Sequence, residues 1–377
     1  VLGESALDAS VSGVDNTAIG KNALTALTSG ADNTGVGKAS LAALTTGSHN
    51  TAIGTESMDA LSTGSHNTGL GKAALGSLTT ADNNTAVGSG TLGLNTTGSN
   101  NTAVGRSALV ENTTGASNVA VGAYTLDANT TASDNTAVGM GALGLNTTGA
   151  SNVAVGRGAL DSNTTASNNT GLGKDALYAN TTGGTNTAVG KDSLASNTTA
   201  SANTACGKSA LQLNTTGANN TAVGKDALYA NTTGLSNTAV GKNALIAATT
   251  GGYNVALGAE ALETQTNANY NVGIGYRALR HTTASDSTAV GYAALKENTS
   301  GAENVAVGKN ALANNTTGGS NNAFGSGALG NNTTGNNNTA FGHAALDAAA
   351  TASHNTAVGY VALSDNTSGA YNTAVGS

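Results

Sequence analysis

Several residue types that most globular domains use are scarce or missing from this chain. The 377 residues include no proline, no tryptophan and one cysteine, Cys206, and only 9% are charged, against roughly 25% in typical soluble domains. One cysteine excludes an intramolecular disulfide and a zinc site built from several cysteines. Disordered segments are usually rich in proline and charge, so the scarcity of both argues against disorder.

The charge balance and the apolar runs restrict the partners of the chain. The formal net charge of -7 comes from 14 basic and 21 acidic residues, a mild imbalance that predicts no nucleic-acid partner. No run approaches the ~18 consecutive apolar residues of a membrane span, so we expect no membrane insertion by this segment. No motif for a cofactor or for catalysis is found, and we expect a protein that is not an enzyme and holds no metal or cofactor.

A short repeat fills the sequence instead. The pentapeptide Asn-Thr-Ala-Ile-Gly at 16–20 is the first of 22 similar five-residue blocks, which follow each other with a period of 17 except for one step of 16 between 271 and 287. A unit of this length is too short for a helical-hairpin repeat, and its glycine, asparagine and threonine are poor helix formers. The repeat therefore predicts an all-β fold, a parallel β-solenoid with one unit per coil and successive coils about 4.8 Å apart.

The organisation expected from this repeat is a single β-solenoid of 22 coils over 1–377. Neither end carries a polar cap, which solenoids normally need because the last coil exposes edge strands. We expect a segment of a longer repetitive protein, or a subunit that joins end to end so that each chain caps the next.

Comparison of the 22 copies assigns roles to positions. The glycine that ends each pentapeptide never varies, which predicts a positive φ or a close backbone approach; examples are Gly20, Gly37, Gly105 and Gly207. The position four residues later is leucine in every coil except Met58, which predicts a buried core column; examples are Leu24, Leu41, Leu109, Leu177, Leu245 and Leu312.

The pentapeptide itself predicts a second inward row. Ile19 and its aliphatic equivalents are expected to face the leucines in the core, with Thr17 on the same inward side two residues earlier. Ala18 and its equivalents, always alanine or glycine, are then expected on a crowded outer face. Cys206 replaces an aliphatic residue of the Ile19 row and is expected to be buried.

Each unit closes with an Asn-Thr-Thr-like corner. The asparagine position holds leucine in the first four units and asparagine in most later ones, which predicts a corner where stacked amides form a hydrogen-bonded ladder. The single short coil is expected to lack this position. Corners of the Asn-Thr-Thr or Asn-Thr-Ser type also match the N-glycosylation pattern; the candidates are Asn95, Asn163, Asn231, Asn298 and Asn366.

Three features of the surface are candidates for binding. The position after the invariant glycine carries a basic row that is either a solvated edge or a stripe for a polyanion or glycan; its continuous part is Lys174, Lys191, Lys208, Lys225 and Lys242. Three histidines, His49, His66 and His354, share one exposed variable turn. Thr96, Thr97 and their equivalents would make a double row suited to ice if both faced one surface, although neighbouring strand residues point to opposite faces.

The pentapeptide resembles the head repeats of trimeric autotransporter adhesins, the YadA-like family, and related repeats of phage tail fibres. The closest matches are the segments 118–122 and 304–308, both Asn-Val-Ala-Val-Gly, and the similarity runs through all 22 units. The resemblance implies a left-handed parallel β-roll, three chains around one axis and an extracellular adhesive or fibrous role. The unit here is longer by its corner, and the chain shows no neck, stalk or anchor.

The function expected from the sequence is that of a structural extracellular fibre or adhesin rod, at a cell surface or on a virion. We expect it to self-associate as a homotrimer or an end-to-end polymer and to contact a host surface or glycan. A self-polymerising filament subunit is the alternative, and a glycan- or ice-binding solenoid the third.

Overall fold

The structure, a computed structural model, describes residues 2–377. That range contains 22 strands of three residues and no helix. Within β1–β10 and within β11–β22, each strand pairs in parallel with the strand of the next repeat unit. The predicted all-β parallel solenoid, with one repeat unit per coil, is therefore confirmed. The residues divide into two compact units, one ending at Asn186 and the other beginning at Thr187.

The strands are numbered in chain order. The first unit contains β1 Thr17–Ile19, β2 Thr34–Val36, β3 Thr51–Ile53, β4 Thr68–Leu70, β5 Thr85–Val87, β6 Thr102–Val104, β7 Val119–Val121, β8 Thr136–Val138, β9 Val153–Val155 and β10 Thr170–Leu172. The second unit contains β11 Thr187–Val189, β12 Thr204–Cys206, β13 Thr221–Val223, β14 Thr238–Val240, β15 Val255–Leu257, β16 Val272–Ile274, β17 Thr288–Val290, β18 Val305–Val307, β19 Asn322–Phe324, β20 Thr339–Phe341, β21 Thr356–Val358 and β22 Thr373–Val375.

Within each unit, equivalent residues of successive coils lie side by side. In the first unit Thr17 pairs with Thr34 and Ile19 with Val36, and the same register continues strand by strand to β10. In the second unit equivalent strand residues stay paired across the short coil, since Val272 pairs with Thr288. The side chains therefore form columns, and one residue type repeated in every coil becomes a continuous row.

The strand faces are the reverse of those expected from the sequence. Ala18 is fully buried, whereas Ile19 is 40% exposed, and Thr17 lies on the outside with it. The assignment of Ile19 to the core, of Thr17 to the inward side and of Ala18 to the outer face was therefore wrong. The column of Ala18 and its equivalents, here called the alanine column, faces the interior in all coils from β1 to β21.

The interior is too narrow for aliphatic residues in the alanine column. Where Gly35 occupies this column, a Cβ atom would lie 3.3 Å from Leu24 Cγ and 3.1 Å from Ser40 Oγ. The leucine side chains thus already fill the space that a valine would need, and close-packed interiors tolerate extra methyl groups poorly. Alanine or glycine inside and valine or isoleucine outside is the arrangement that fits.

The leucine column is buried, in agreement with the sequence pattern. Leu24, Leu41, Leu109, Leu177, Leu245 and Leu312 are all 0% exposed. Their backbone is unusual, because Leu24 has a φ of 52° and Leu109 also has one of 52°. A left-handed conformation costs a residue with a Cβ roughly 1–2 kcal/mol, and full burial of a leucine side chain contributes about 2 kcal/mol. Burial thus offsets local strain in the coils whose leucine is fully buried.

The invariant glycines satisfy both reasons that glycine can be required. Gly20, Gly37, Gly105 and Gly207 have φ values of 128°, 134°, 134° and 144°. A Cβ atom on Gly105 would also lie 2.4 Å from the carbonyl oxygen of Gly122. The backbones of successive coils pass too close at this column for any side chain.

Buried asparagines hold successive coils together on the side of the strand. The asparagine that precedes each strand forms what we call the strand ladder. Asn118 is 0% exposed, its Nδ2 donates to Asn101 Oδ1 at 3.2 Å and to the Ala132 carbonyl at 2.9 Å, and its Oδ1 accepts from the backbone N–H of Asn135 at 3.0 Å. Each amide thus satisfies backbone groups that the coil would otherwise bury without partners.

The corner asparagines form a second row, here called the corner ladder, as the sequence predicts. Asn112 Nδ2 donates to Asn95 Oδ1 at 3.0 Å and to the Gly115 carbonyl at 2.9 Å, and both asparagines are 0% exposed. The leucines at this position in the first four coils are buried too; these are Leu27, Leu44, Leu61 and Leu78. One interior column therefore accepts either an apolar side chain or an amide that is bonded along the row.

The expectation that the short coil lacks the corner position was wrong. Thr282 occupies it, fully buried, and its Oγ1 accepts from Asn298 Nδ2 at 3.2 Å. The deletion falls after it, because Thr282 Oγ1 bonds Ala284 two residues on whereas Asn298 bonds Gly301 three residues on. A short hydroxyl side chain thus maintains the row where the corner has lost a residue.

The corner ladder has two defects with one cause. The Oδ1 atoms of Asn231 and Asn332 are buried without a hydrogen-bond partner. The next residues in their column are Ala248 and Ala349, which carry no amide. A buried acceptor without a donor costs roughly 1–3 kcal/mol.

Replacing Ala248 by asparagine should remove one defect. The new Nδ2 would lie where Asn112 Nδ2 lies relative to Asn95, so we expect Ala248→Asn to raise the free energy of unfolding by about 1 kcal/mol or more. Urea denaturation measures the change. Ala247→Asn, one residue earlier and outside the ladder, is the matched control and should stay within about 0.5 kcal/mol of the parent; equal effects of the two variants would contradict the assignment.

Candidate functional surface

The most regular surface is formed by the outward residues of the strands. Because the alanine column points inward, the first and third residues of each strand point outward. We call this surface, over β1–β10, the outer face. The first residue is threonine in eight of these ten strands and valine in β7 and β9, while the third is always valine, isoleucine or leucine. The outward residues of β1–β10 therefore include no charged side chain.

The threonines of the outer face have free hydroxyl groups. In the described residues, the side chains of Thr34, Thr51, Thr68 and Thr85 have no hydrogen-bond partner in the protein. The aliphatic row beside them is uncovered as well, with Ile53 45% exposed. Uncommitted hydroxyls and methyl groups thus alternate across this surface.

The corner threonines differ from those of the outer face. Thr96 Oγ1 donates to the Thr113 carbonyl at 3.0 Å, and the same bond recurs along its column. Thr97, its neighbour, is exposed. The double row considered from the sequence therefore offers only one row of free hydroxyls, because the coil uses the other.

The basic row is exposed but largely paired with acidic residues. Lys191 lies 2.7 Å from Asp192 and Lys225 lies 2.7 Å from Asp226, and Lys174 pairs with Asp175 in the same way. Lys208 and Lys242 precede Ser209 and Asn243 instead. The carboxylates neutralise much of the row, which weakens its case as a polyanion stripe and agrees with a solvated edge.

The glycosylation candidates are mostly inaccessible. Asn95, Asn163, Asn231 and Asn298 are 0% exposed, and Asn163 Nδ2 donates to Asn146 Oδ1 at 2.8 Å and to the Ala166 carbonyl at 3.0 Å. A glycan on this nitrogen would break the corner ladder. The folded coil thus argues against these four sites, while Asn366 is partly exposed and its Nδ2 bonds the Gly369 carbonyl.

Cys206 and the histidines are surface residues. Cys206 is exposed, so its predicted burial was wrong for the same reason as that of Ile19. His49 and His66 stack with ring centroids 4.8 Å apart, and His354 stacks on Tyr371 at 4.8 Å. Rings stacked along a column present their edges to solvent. Among residues 2–377, no three side chains of histidine, cysteine, aspartate or glutamate group as metal ligands.

Three aspartates lie in notches beside small residues. Burial raises the pKa of Asp59, Asp127 and Asp161. The charge of Glu111 adds to the effect at Asp127, and that of Asp175 adds to it at Asp161. Gly144 makes room for two of these side chains, since a Cβ there would lie 3.1 Å from Asp161 Oδ1 and 3.6 Å from Asp127 Oδ1.

These shifts predict a pH dependence of stability. When the pKa of a carboxyl is higher in the folded protein than in the unfolded chain, the protein loses stability as the pH rises from the unfolded-state pKa through the folded-state pKa. Asp161→Asn removes that loss, so we expect a higher melting temperature than the parent at pH 7 and no difference at pH 3, as measured by calorimetry. Asp134→Asn, at an exposed turn, controls for the loss of one charge, and an equal gain in this control would contradict the burial argument.

In the part of the chain that the structure describes, no helix has the length and apolar character needed to cross a membrane. No protein-family model and no curated protein matches the sequence.

Proposed function

We propose that this chain is a structural segment of an extracellular fibre, exposed at a cell surface or on a virion. The observation that carries the proposal is the recurrence of the same buried contacts from coil to coil. The strand ladder, the glycine column and the leucine column use most of the constrained positions of each repeat. In a repeat array of this kind, stability is a sum of coil and nearest-neighbour terms, which suits a load-bearing element of adjustable length.

The surface columns are the part of the repeat that is free to vary, and the adhesive part of the proposal rests on them. The turn before each strand holds aspartate, histidine, asparagine, serine or tyrosine in different coils without a change of backbone, since Asp32, His49 and Tyr253 have φ values of 57°, 61° and 60°. A rigid scaffold that displays variable side chains is a common basis for binding. Contact with a host surface or a glycan would come from these positions.

Self-association in threes is proposed from the resemblance of the pentapeptide to the heads of trimeric autotransporter adhesins. Light scattering on the purified chain tests it directly. We expect the mass of three chains, independent of concentration over the range measured. The mass of a single chain would overturn this part of the proposal and leave the structural role intact.

The location of the chain tests the proposal that it belongs to an extracellular fibre. Antibodies against the chain should label fibres on intact source cells or virions in electron micrographs, with no increase after permeabilisation. Label that appears only after permeabilisation would overturn the extracellular assignment.

A further inference from the structure

The outer face combines two properties that few protein surfaces share. Its threonine hydroxyls have no partner in the described protein, and its side chains repeat without a change of register along β1–β10. Equivalent side chains of successive coils are about 4.8 Å apart, the separation of the stacked rings of His49 and His66. The threonine and aliphatic rows of one strand are two residues apart, about 6.6 Å.

We infer that the outer face binds ice. In ice each water molecule makes tetrahedral hydrogen bonds of about 2.8 Å, which places next-nearest oxygens about 4.5 Å apart. A row of hydroxyl groups at the coil spacing lies close to that distance over neighbouring coils, so each hydroxyl can replace one water of the lattice. The methyl groups between the hydroxyls carry no polar atoms that would compete with the ordered water.

The side chains of the outer face are also held in place before binding. Threonine, valine and isoleucine are restricted at χ1 by their branched Cβ atoms, and the strand ladder fixes the backbone beneath them. Preorganised groups lose little entropy when they bind. Lysine or glutamate in the same columns would be flexible and strongly hydrated, and the outward positions of β1–β10 contain neither.

The second unit of the chain differs from the first at the outward positions of its strands. Its first outward position changes to valine in β15, β16 and β18 and to asparagine in β19. Its third position carries Phe324 and Phe341, whose ring centroids are 5.8 Å apart and which are 37% and 58% exposed. The rings interrupt the aliphatic row, and valine occupies the hydroxyl row of two successive strands, β15 and β16, whereas the valines of β7 and β9 stand singly. The inference is therefore limited to β1–β10.

The test uses the full chain and two double variants. We expect the parent to show thermal hysteresis and to inhibit ice recrystallisation. Thr68→Tyr combined with Thr85→Tyr places bulky rings on the outer face and should abolish both activities. Thr97→Tyr combined with Thr114→Tyr changes the same residue type at exposed corner positions and should leave both activities at the parent level. Circular dichroism and melting curves verify that all three proteins fold.

Three results would overturn the inference. The parent protein shows neither thermal hysteresis nor inhibition of recrystallisation; or the corner variant loses as much activity as the outer-face variant; or the outer-face variant changes the mass measured by light scattering, which would assign this surface to contact between copies. The inference does not depend on the proposed extracellular fibre, because each of these readouts is independent of location.

Discussion

Gly105→Ala is expected to lower the free energy of unfolding by about 2–6 kcal/mol, because two independent costs add. An alanine at a φ of 134° is strained by roughly 1–3 kcal/mol, and its Cβ would lie 2.4 Å from the Gly122 carbonyl oxygen, an overlap that costs about 1–3 kcal/mol to relieve. Urea denaturation gives the total, and hydrogen exchange should show faster opening of the coils on either side.

Gly90→Ala is the matched control for this prediction. Gly90 has a φ of 67° and no atom within 4 Å of its would-be Cβ. Ala39 and Ala73 occupy the same column in earlier coils with φ values of 57° and 52°. We expect a change of no more than about 1 kcal/mol. A loss at Gly90 as large as the loss at Gly105 would show that the close backbone approach is not the cause.

The second large effect is expected in the strand ladder. Asn118→Ala leaves the buried N–H of Asn135 without its acceptor. It also removes one of the two donors to the Ala132 carbonyl, which Asn129 Nδ2 still reaches at 3.1 Å. At roughly 1–3 kcal/mol for the group left unpaired and about 1 kcal/mol for the lost hydrogen bond, we expect a loss of about 2–4 kcal/mol in the free energy of unfolding, measured by urea denaturation.

Two further variants separate the effect of losing the Asn118 side-chain amide from the effect of any substitution in this turn. Ser117→Ala changes the exposed neighbour, whose column already contains Ala202 at a φ of 58°, and should be nearly neutral. Asn118→Ser should lie between the two, because Ser287 occupies the ladder naturally and its Oγ accepts from Asn304 N–H at 3.4 Å. A serine variant as unstable as the alanine variant would contradict the role assigned to the side-chain oxygen.

Most of the fold could be predicted from the period of the sequence. A repeat this short leaves little choice but one solenoid coil, and invariance among the copies identified the glycine and leucine columns. The corner ladder was also predictable, since an amide repeated at a corner can bond to its equivalent one coil away. In each case a single position repeated many times carried the information.

Which residues of each strand point inward could not be predicted from the repetition of single positions. In Thr-Ala-Val, hydrophobicity favours valine inside, and alternation alone permits either face. The deciding quantity is the width of the interior, which the leucine side chains set and which appears only in the packing of Leu24 against the alanine column. The sequence did carry one signal, the restriction of this column to alanine and glycine. That restriction was interpreted as crowding on the outer face, whereas the crowding lies in the interior.

The backbone conformation of the leucines could not be predicted from the sequence either. A left-handed φ is typical of asparagine or glycine, and nothing in the composition of the leucine column indicates it. The outer face, as a candidate site, depended on the strand direction and could not be identified before the structure. The pKa shifts of Asp127 and Asp161 likewise depend on burial and on charged neighbours in other coils.

High-resolution cryo-electron microscopy of the assembled protein tests the central claim most directly. The account predicts one repeat unit per coil and coils about 4.8 Å apart, with alanine side chains inside, threonine and valine side chains outside, and continuous density between successive buried asparagines. Coils with valine inside and alanine outside, or an assembly without this repeat, would contradict it.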